Sequence, residues 1–201
     1  MYIRALEGCE KALGTDHTST LNTAVNLGKL YHDRRYELVK TTTLQKLHFH
    51  SGLMEASNST PDILQLVSLC LRYKSCGTTL LTYLYKVLLW VNEDALSLIA
   101  FSYIISNSSP QYYRYFDGCG CDITASTVCF SCKSCMDVDP CWLCFARYEL
   151  DELKDVISTC RDHSFVDFSN TLPTKDPEQW LQELASALES KRIPRGNCKV
   201  S

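Results

Sequence analysis

The sequence predicts a mostly α chain: helical over residues 1–110, a small cysteine-organised module over 111–170, and a closing helix with a tail over 171–201. Three observations carry that reading. Apolar residues recur at helical spacing through the first half. Eight of the twelve cysteines fall within residues 111–170. An Asp-Pro step at 176–177 opens a further amphipathic run. The 201 residues are 45% hydrophobic and 21% charged, ordinary for a globular chain and enough for one full core or two small domains.

The elements follow in order. Tyr2, Ala5, Leu6, Cys9, Ala12 and Leu13 form one apolar face of a first helix, and Gly14 is its stop. A second helix starts at residues 18–20, whose hydroxyls are cap candidates, and buries Leu21, Ala24, Val25, Gly28 and Tyr31. Glycine weakens a helix by about 1 kcal/mol relative to alanine, so Gly28 predicts a neighbouring helix packed close. Pro61 opens a third helix with Ile63, Leu66, Val67, Cys70 and Leu71 inward. After Gly77, residues 80–90 are apolar nearly all round, which predicts deep burial. That run is too short to span a bilayer, which takes roughly twenty residues, and it contains Lys86. Asn92 is the expected cap of the next helix, and Cys70 and Cys76 are expected to be inert small hydrophobes.

The module carries the chemistry. Cys132 and Cys135, then Cys141 and Cys144, are C-x-x-C pairs; Cys160 and His163 repeat the spacing with one imidazole. Such a turn points two ligands at one metal, and a tetrahedral site takes two turns. With Cys119 and Cys121, eight ligands are present, enough for two sites. The N-terminal "MYIRALEGCEKALG" has charges throughout and no apolar core, so it is not a secretory signal. A reducing, cytoplasmic setting follows, where dense cysteine reads as metal binding before disulfides. Thiolate-rich ligands favour zinc, with iron an alternative on ligand type alone. Ten acidic against five basic residues fall in 111–170, so the chain's net charge of -3 originates here. That charge argues against nucleic-acid and membrane binding. Beyond the module, "FVDF" reads as a short strand. The last helix starts with Asp176, Pro177 and Gln179 and presents Trp180, Leu184, Ala187 and Leu188, a stripe expected to pack on the module.

Two resemblances add to this. "MYIRALEGCEKALGTDHTSTLNTAVNLGKLY" resembles kinesin-light-chain-type tetratricopeptide repeats of fungal NACHT/NB-ARC receptor-like proteins: Tyr2 and Ala5 on the second helix of one repeat, Leu27, Gly28 and Tyr31 on the first of the next. "HDRRYELVKTTTLQKL" then lacks the turn glycine and has Lys40 where a small residue is expected. This implies partial repeats over 1–50 and a helical region over 51–110. Helical repeats need neighbours to bury their faces, so the chain is expected to be the C-terminal part of a longer protein or a truncated product.

"FDGCG", "VCFSCKSCMDVDPCWLC" and "CRDHSF" resemble the opening, middle and close of the ZZ-type zinc finger, an α+β cross-braced module with two zinc ions. The resemblance implies one ion on Cys119, Cys141 and Cys144, and another on Cys132, Cys135, Cys160 and His163, with Cys160 where histidine is usual. Phe116 stands where the first cysteine belongs. Cys121 is the candidate fourth ligand, the alternatives being a vacant first site, hence one ion, or Cys129 as a rival. Pro140 replaces a leucine. Asp117, Asp137 and Asp139 match the acids that hold a peptide's free N-terminus in that family; the alternative is that they cap turns.

The function expected from these readings is a non-catalytic zinc-binding adaptor with a protein or peptide partner. None of His17, His32, His48, His50 and His163 pairs with a nucleophile at a motif spacing, and no glycine-rich phosphate loop occurs. A RING-like ubiquitin-ligase subunit is the alternative enzyme class, though the segment lacks that family's C-x-H step. A decayed receptor fragment without its own function is the third. The module holds few large apolar residues, so it is expected to unfold without metal while residues 61–105 stay folded.

Overall fold

The computed structural model describes residues 1–48, 60–107, 119–120, 129–135, 138–150, 152–153, 160, 163–168 and 176–192. Helix α1 (Tyr2–Leu13) and helix α2 (Thr18–His48) form an antiparallel pair. Gly14, at φ 88°, ends α1 and donates to the Glu10 carbonyl at 2.9 Å. The cap of α2 differs from expectation: His17 Nδ1 accepts from the Ser19 N–H at 3.1 Å, doing the work assigned to the threonines. Of the α1 stripe only Leu6 is buried; Tyr2, Ala5 and Leu13 are exposed, because α1 leans on α2 with one edge. Helix α2 runs unbroken for 31 residues, with no turn where a second hairpin would form.

The core lies among α2, α3 (Thr60–Arg72), α4 (Gly77–Trp90), α5 (Asp94–Asn107) and α7 (Pro177–Arg192). Helix α4 is its centre, packed by α2, α3 and α5, and nine of its residues are buried. Helix α3 is flanked by both α4 and α7, so Leu64 and Leu69 are buried as well as Ile63, Leu66, Val67 and Cys70 of the expected face, with Leu71 half-buried. Asn92 does not cap α5. It adopts φ 61° and closes α4: its N–H reaches the Leu89 carbonyl at 3.1 Å, and the Glu93 N–H reaches Leu88 at 3.0 Å. Asparagine tolerates that left-handed position, and the paired bonds satisfy two end carbonyls. His32 is buried between Tyr83 and Trp90, with centroids 5.1 and 4.8 Å away, and its Nδ1 meets Asp33 Oδ1 at 3.0 Å.

Gly28 behaves as its sequence context requires. A Cβ there would stand 2.6 Å from Leu80 Cδ2 and 3.3 Å from Tyr83 Cδ2. Leu80 is fully buried and has no room to give. Gly28→Val is therefore expected to destabilise the fold by about 1–3 kcal/mol in urea melts, the usual range for overpacking. Gly8→Ala, with nothing within 4 Å of its Cβ, is expected to stabilise by about 0.5–1 kcal/mol. Similar shifts for the two would remove the close approach.

Helix α7 starts as predicted: Asp176 Oδ2 accepts from the N–H groups of Glu178 and Gln179 at 3.0 and 3.2 Å. Its destination is a correction. Trp180, Leu181, Leu184 and Leu188 are buried against α3 and the Tyr103 ring of α5, whose centroid lies 5.5 Å from that of Trp180; Ala187 is exposed. The larger apolar surface available on α3, rather than the module, takes the stripe. Cys70 and Cys76 are packed as expected, and burial pushes both thiols up, away from thiolate chemistry.

Strand β1 (Phe130–Cys132) pairs antiparallel with β2 (Phe165–Asp167), in the register Phe130 to Asp167, Ser131 to Val166 and Cys132 to Phe165. The short helix α6 (Trp142–Glu149) lies between them in sequence. Cys129, Val166 and Phe168 reach into the helical core, where the Phe168 ring meets Phe101 edge-on at 4.6 Å. No helix among the described residues is long and apolar enough to cross a membrane.

Candidate metal centre

Two ligand clusters form. Cys132, Cys135, Cys160 and His163 bring their ligand atoms within 4.8 Å of one another, and so do Cys119, Cys141 and Cys144. In chain order the clusters alternate: 119 belongs to the first, 132 and 135 to the second, 141 and 144 to the first, 160 and 163 to the second. The two sets are interleaved.

The second cluster is built by β1 and the approach to β2. Cys132 ends β1, whose N–H groups at Phe130 and Cys132 donate to the Pro140 and Val138 carbonyls, both at 2.9 Å. The chain then turns, with the Ser134 N–H aimed at Cys132 Sγ at 3.4 Å, and returns as Cys135. Lys133 N–H to the Ser164 carbonyl (2.9 Å) sets His163 beside them, and His163 N–H closes on the Cys160 carbonyl at 2.8 Å. Tyr148 Oη donates to that same carbonyl at 2.6 Å, fixing Cys160 from α6.

The spacing suits a metal. Cys135 Sγ lies 3.2 Å from Cys160 Sγ, and His163 Nδ1 lies 3.4 Å from both Cys132 Sγ and Cys135 Sγ. Zinc–sulfur bonds of roughly 2.3 Å in a tetrahedron put sulfurs about 3.8 Å apart, so a small expansion admits the ion. Cys132 and Cys160 are fully buried, which keeps water from competing. Thiol donors on Cys135 and Cys160 hold the Cys132 thiol far below its ordinary range, and their bonding to Cys132 pushes both of those thiols up. One negative charge is thus tolerated and a second is repelled. Three thiolates here require a cation at their centre, and uptake of one releases protons.

The first cluster uses a helix start. Cys141 caps α6, its Sγ accepting the Cys144 N–H at 3.4 Å, and Cys144 sits in the first turn of the helix. Cys119 Sγ reaches Cys141 Sγ at 3.9 Å, close to the tetrahedral edge. Gly120, at φ 68°, turns the chain immediately after Cys119. Burial, then the sulfurs of Cys141 and Cys119, push the Cys144 thiol up to about 12. Cys129 belongs to neither cluster: it bridges backbone-to-backbone with Cys141 and points its thiol at the Phe130 carbonyl, 3.5 Å away. Cys121, Phe116, Asp117 and Asp137 lie outside the described residues.

Asp139 is a correction. Its side chain does not face solvent to meet a peptide amine; it is buried against α4. Lys86 Nζ donates to Asp139 Oδ1 at 3.1 Å, Ser131 Oγ donates to the same oxygen, and Tyr85 Oη reaches Oδ2 at 3.5 Å. Lys86 is itself buried and also donates to Ser131 Oγ at 3.0 Å. A carboxylate in this setting already has its cation. Sequence reasoning missed Lys86, Ser131 and Tyr148. A lysine inside an all-apolar run was the available signal, since buried lysines are almost always paired.

Beside the clusters, Phe145 stacks on Phe130 at 4.2 Å and meets Phe165 at 5.1 Å. On α6 and at its C-cap, Trp142, Leu143 and Leu150 are exposed, Trp142 at 58%. Comparison of the chain with protein-family models, with curated proteins and with solved structures finds no match among any of the three.

Proposed function

We propose that this chain is a non-catalytic zinc-binding adaptor, in which residues 111–170 act as a ZZ-like protein-interaction module with two zinc ions. The observation that carries the reading is the interleaving of the two clusters, each drawn from two separated stretches of chain. Interleaving makes each ion brace the loop that holds the other, which suits a structural role. Thiolate-rich ligands favour zinc over harder cations. The α1–α2 pair supports a tetratricopeptide-like start to the chain, and unbroken α2 fits a degraded second repeat. The described cysteines form no disulfide, which fits a reducing, cytoplasmic setting.

The exposed Trp142, Leu143 and Leu150 supply what an adaptor needs, an apolar contact surface beside a rigid centre. With Asp139 engaged by Lys86, recognition of a peptide N-terminus rests on Asp117 and Asp137. Elemental analysis is expected to give about two zinc ions per chain, and about one in Cys121→Ser, on four ligands per structural site. Equal metal in both would take Cys121 out of the first site. On fully loaded protein, acetylating the N-terminus of a bound peptide is expected to weaken binding by roughly ten- to a hundredfold, the worth of one charge-assisted hydrogen bond. No preference between free and acetylated peptides would leave the module a purely structural part.

A further inference from the structure

We propose that metal at Cys132, Cys135, Cys160 and His163 controls whether the module stays docked on the helical bundle, with buried Lys86 as the switch point. The proposal rests on the metal reading above and adds a consequence to it. Lys86 comes from α4 and is 1% exposed, and its amine donates to Asp139 Oδ1 and Ser131 Oγ, both of them in the module.

Those acceptors are held by the same backbone that holds the ligands. Ser131 immediately precedes Cys132. Asp139 lies between Val138 and Pro140, whose carbonyls receive the Cys132 and Phe130 N–H groups. The second ion pair across this boundary repeats the arrangement: Lys133, between Cys132 and Cys135, reaches Asp94 Oδ2 in the first turn of α5 at 2.6 Å. The apolar share of the contact, Phe168 against Tyr85 and Phe101 with Val166 in the same buried cluster, hangs on β2, which begins two residues past His163.

Strands of three residues in a two-stranded sheet do not stand alone in water. Metal is what ties β1 to the start of β2, through Cys132 and Cys135 on one side and Cys160 and His163 on the other. Remove it, and Ser131, Asp139 and Phe168 lose their fixed positions together. An ammonium group stripped of these acceptors does not stay buried. Docking and metal are therefore linked, and the bundle face around Lys86 opens when the metal leaves.

Lysine footprinting tests this on the full chain. Acylation by an N-hydroxysuccinimide acetate, followed by peptide mass spectrometry, compares Lys86 with exposed Lys11. In zinc-loaded protein Lys86 is expected to label at least about tenfold more slowly than Lys11, and chelation is expected to remove most of that difference, as local opening does for a protected group. Helical circular dichroism should persist. Asp139→Asn should raise Lys86 labelling while elemental analysis still finds the full metal content. Continued protection of Lys86 after the metal has gone would overturn the proposal, and so would loss of the helical signal on chelation, because exposure would then come from unfolding. A chain that takes up no metal at all sinks the zinc reading itself, a result that elemental analysis separates from the others.

Discussion

Cys160→Ala is expected to strip the second centre of its metal and unfold the segment from β1 to β2. Structural zinc contributes on the order of 10–16 kcal/mol of apparent folding free energy in small zinc modules. Its own described elements are small: two three-residue strands, one eight-residue helix and an aromatic cluster. Losing one of four ligands leaves Cys132, Cys135 and His163 unable to close the coordination sphere. Elemental analysis should show one ion fewer, and the amides of Phe130 and Cys132 should lose protection in hydrogen exchange. Cys129→Ala is the matched control. It removes a thiol just as deeply buried, but one outside both clusters, so metal should be retained and stability should fall by only about 1 kcal/mol. Equal losses from the two substitutions would mean that packing, not coordination, is what Cys160 provides.

The second large effect belongs to Lys86. Lys86→Ala leaves the Asp139 carboxylate buried without its cation, and breaking one side of a buried pair costs about 3–5 kcal/mol. Lys86→Met with Asp139→Leu removes both charges and refills the space. That double variant is expected to recover most of the loss, as apolar replacement of a buried pair is often neutral or better. Urea denaturation followed through buried Trp90 on α4 reads both. A single variant within about 0.5 kcal/mol of the parent, the range of ordinary surface substitutions, would show that Lys86 and Asp139 are solvated in solution.

Much of this was legible in the residues, and the boundary of legibility has a physical cause. Periodicity is local, so it located the helices of the bundle, though not α6, together with the all-round burial of α4 and the close approach at Gly28. Ligand spacing is local too, which is why the C-x-x-C pairs and the Cys160 and His163 step were readable and now lie in two clusters. What failed was partner choice over distance. Asp139 looked like one of three exposed acids because nothing near it in sequence announces a lysine 53 positions earlier. The stripe of α7 was right at Trp180, Leu184 and Leu188 but not at Ala187, and it was assigned to the wrong neighbour, since an apolar face specifies that it will be covered and not by what. Asn92 was ambiguous for a different reason: asparagine serves equally as an N-cap and as a left-handed helix end, and only the carbonyls of Leu88 and Leu89 decide between them.

The alternation of the clusters bears on how the chain reaches this state at all. Five residues separate Cys135 from Cys141, whereas twenty-four separate Cys135 from Cys160, its partner in the finished cluster. Closing the shorter loop is favoured by about 1.4 kcal/mol of chain entropy, nearly tenfold. An unfolded chain that meets zinc therefore closes Cys132 and Cys135 onto Cys141 and Cys144 first, a four-sulfur chelate that is chemically sound and topologically wrong. Reaching the interleaved arrangement means giving those ligands back. The order in which the ligands close thus matters: a chain refolded in excess zinc must first open that local chelate before β1 and β2 can meet on the bundle.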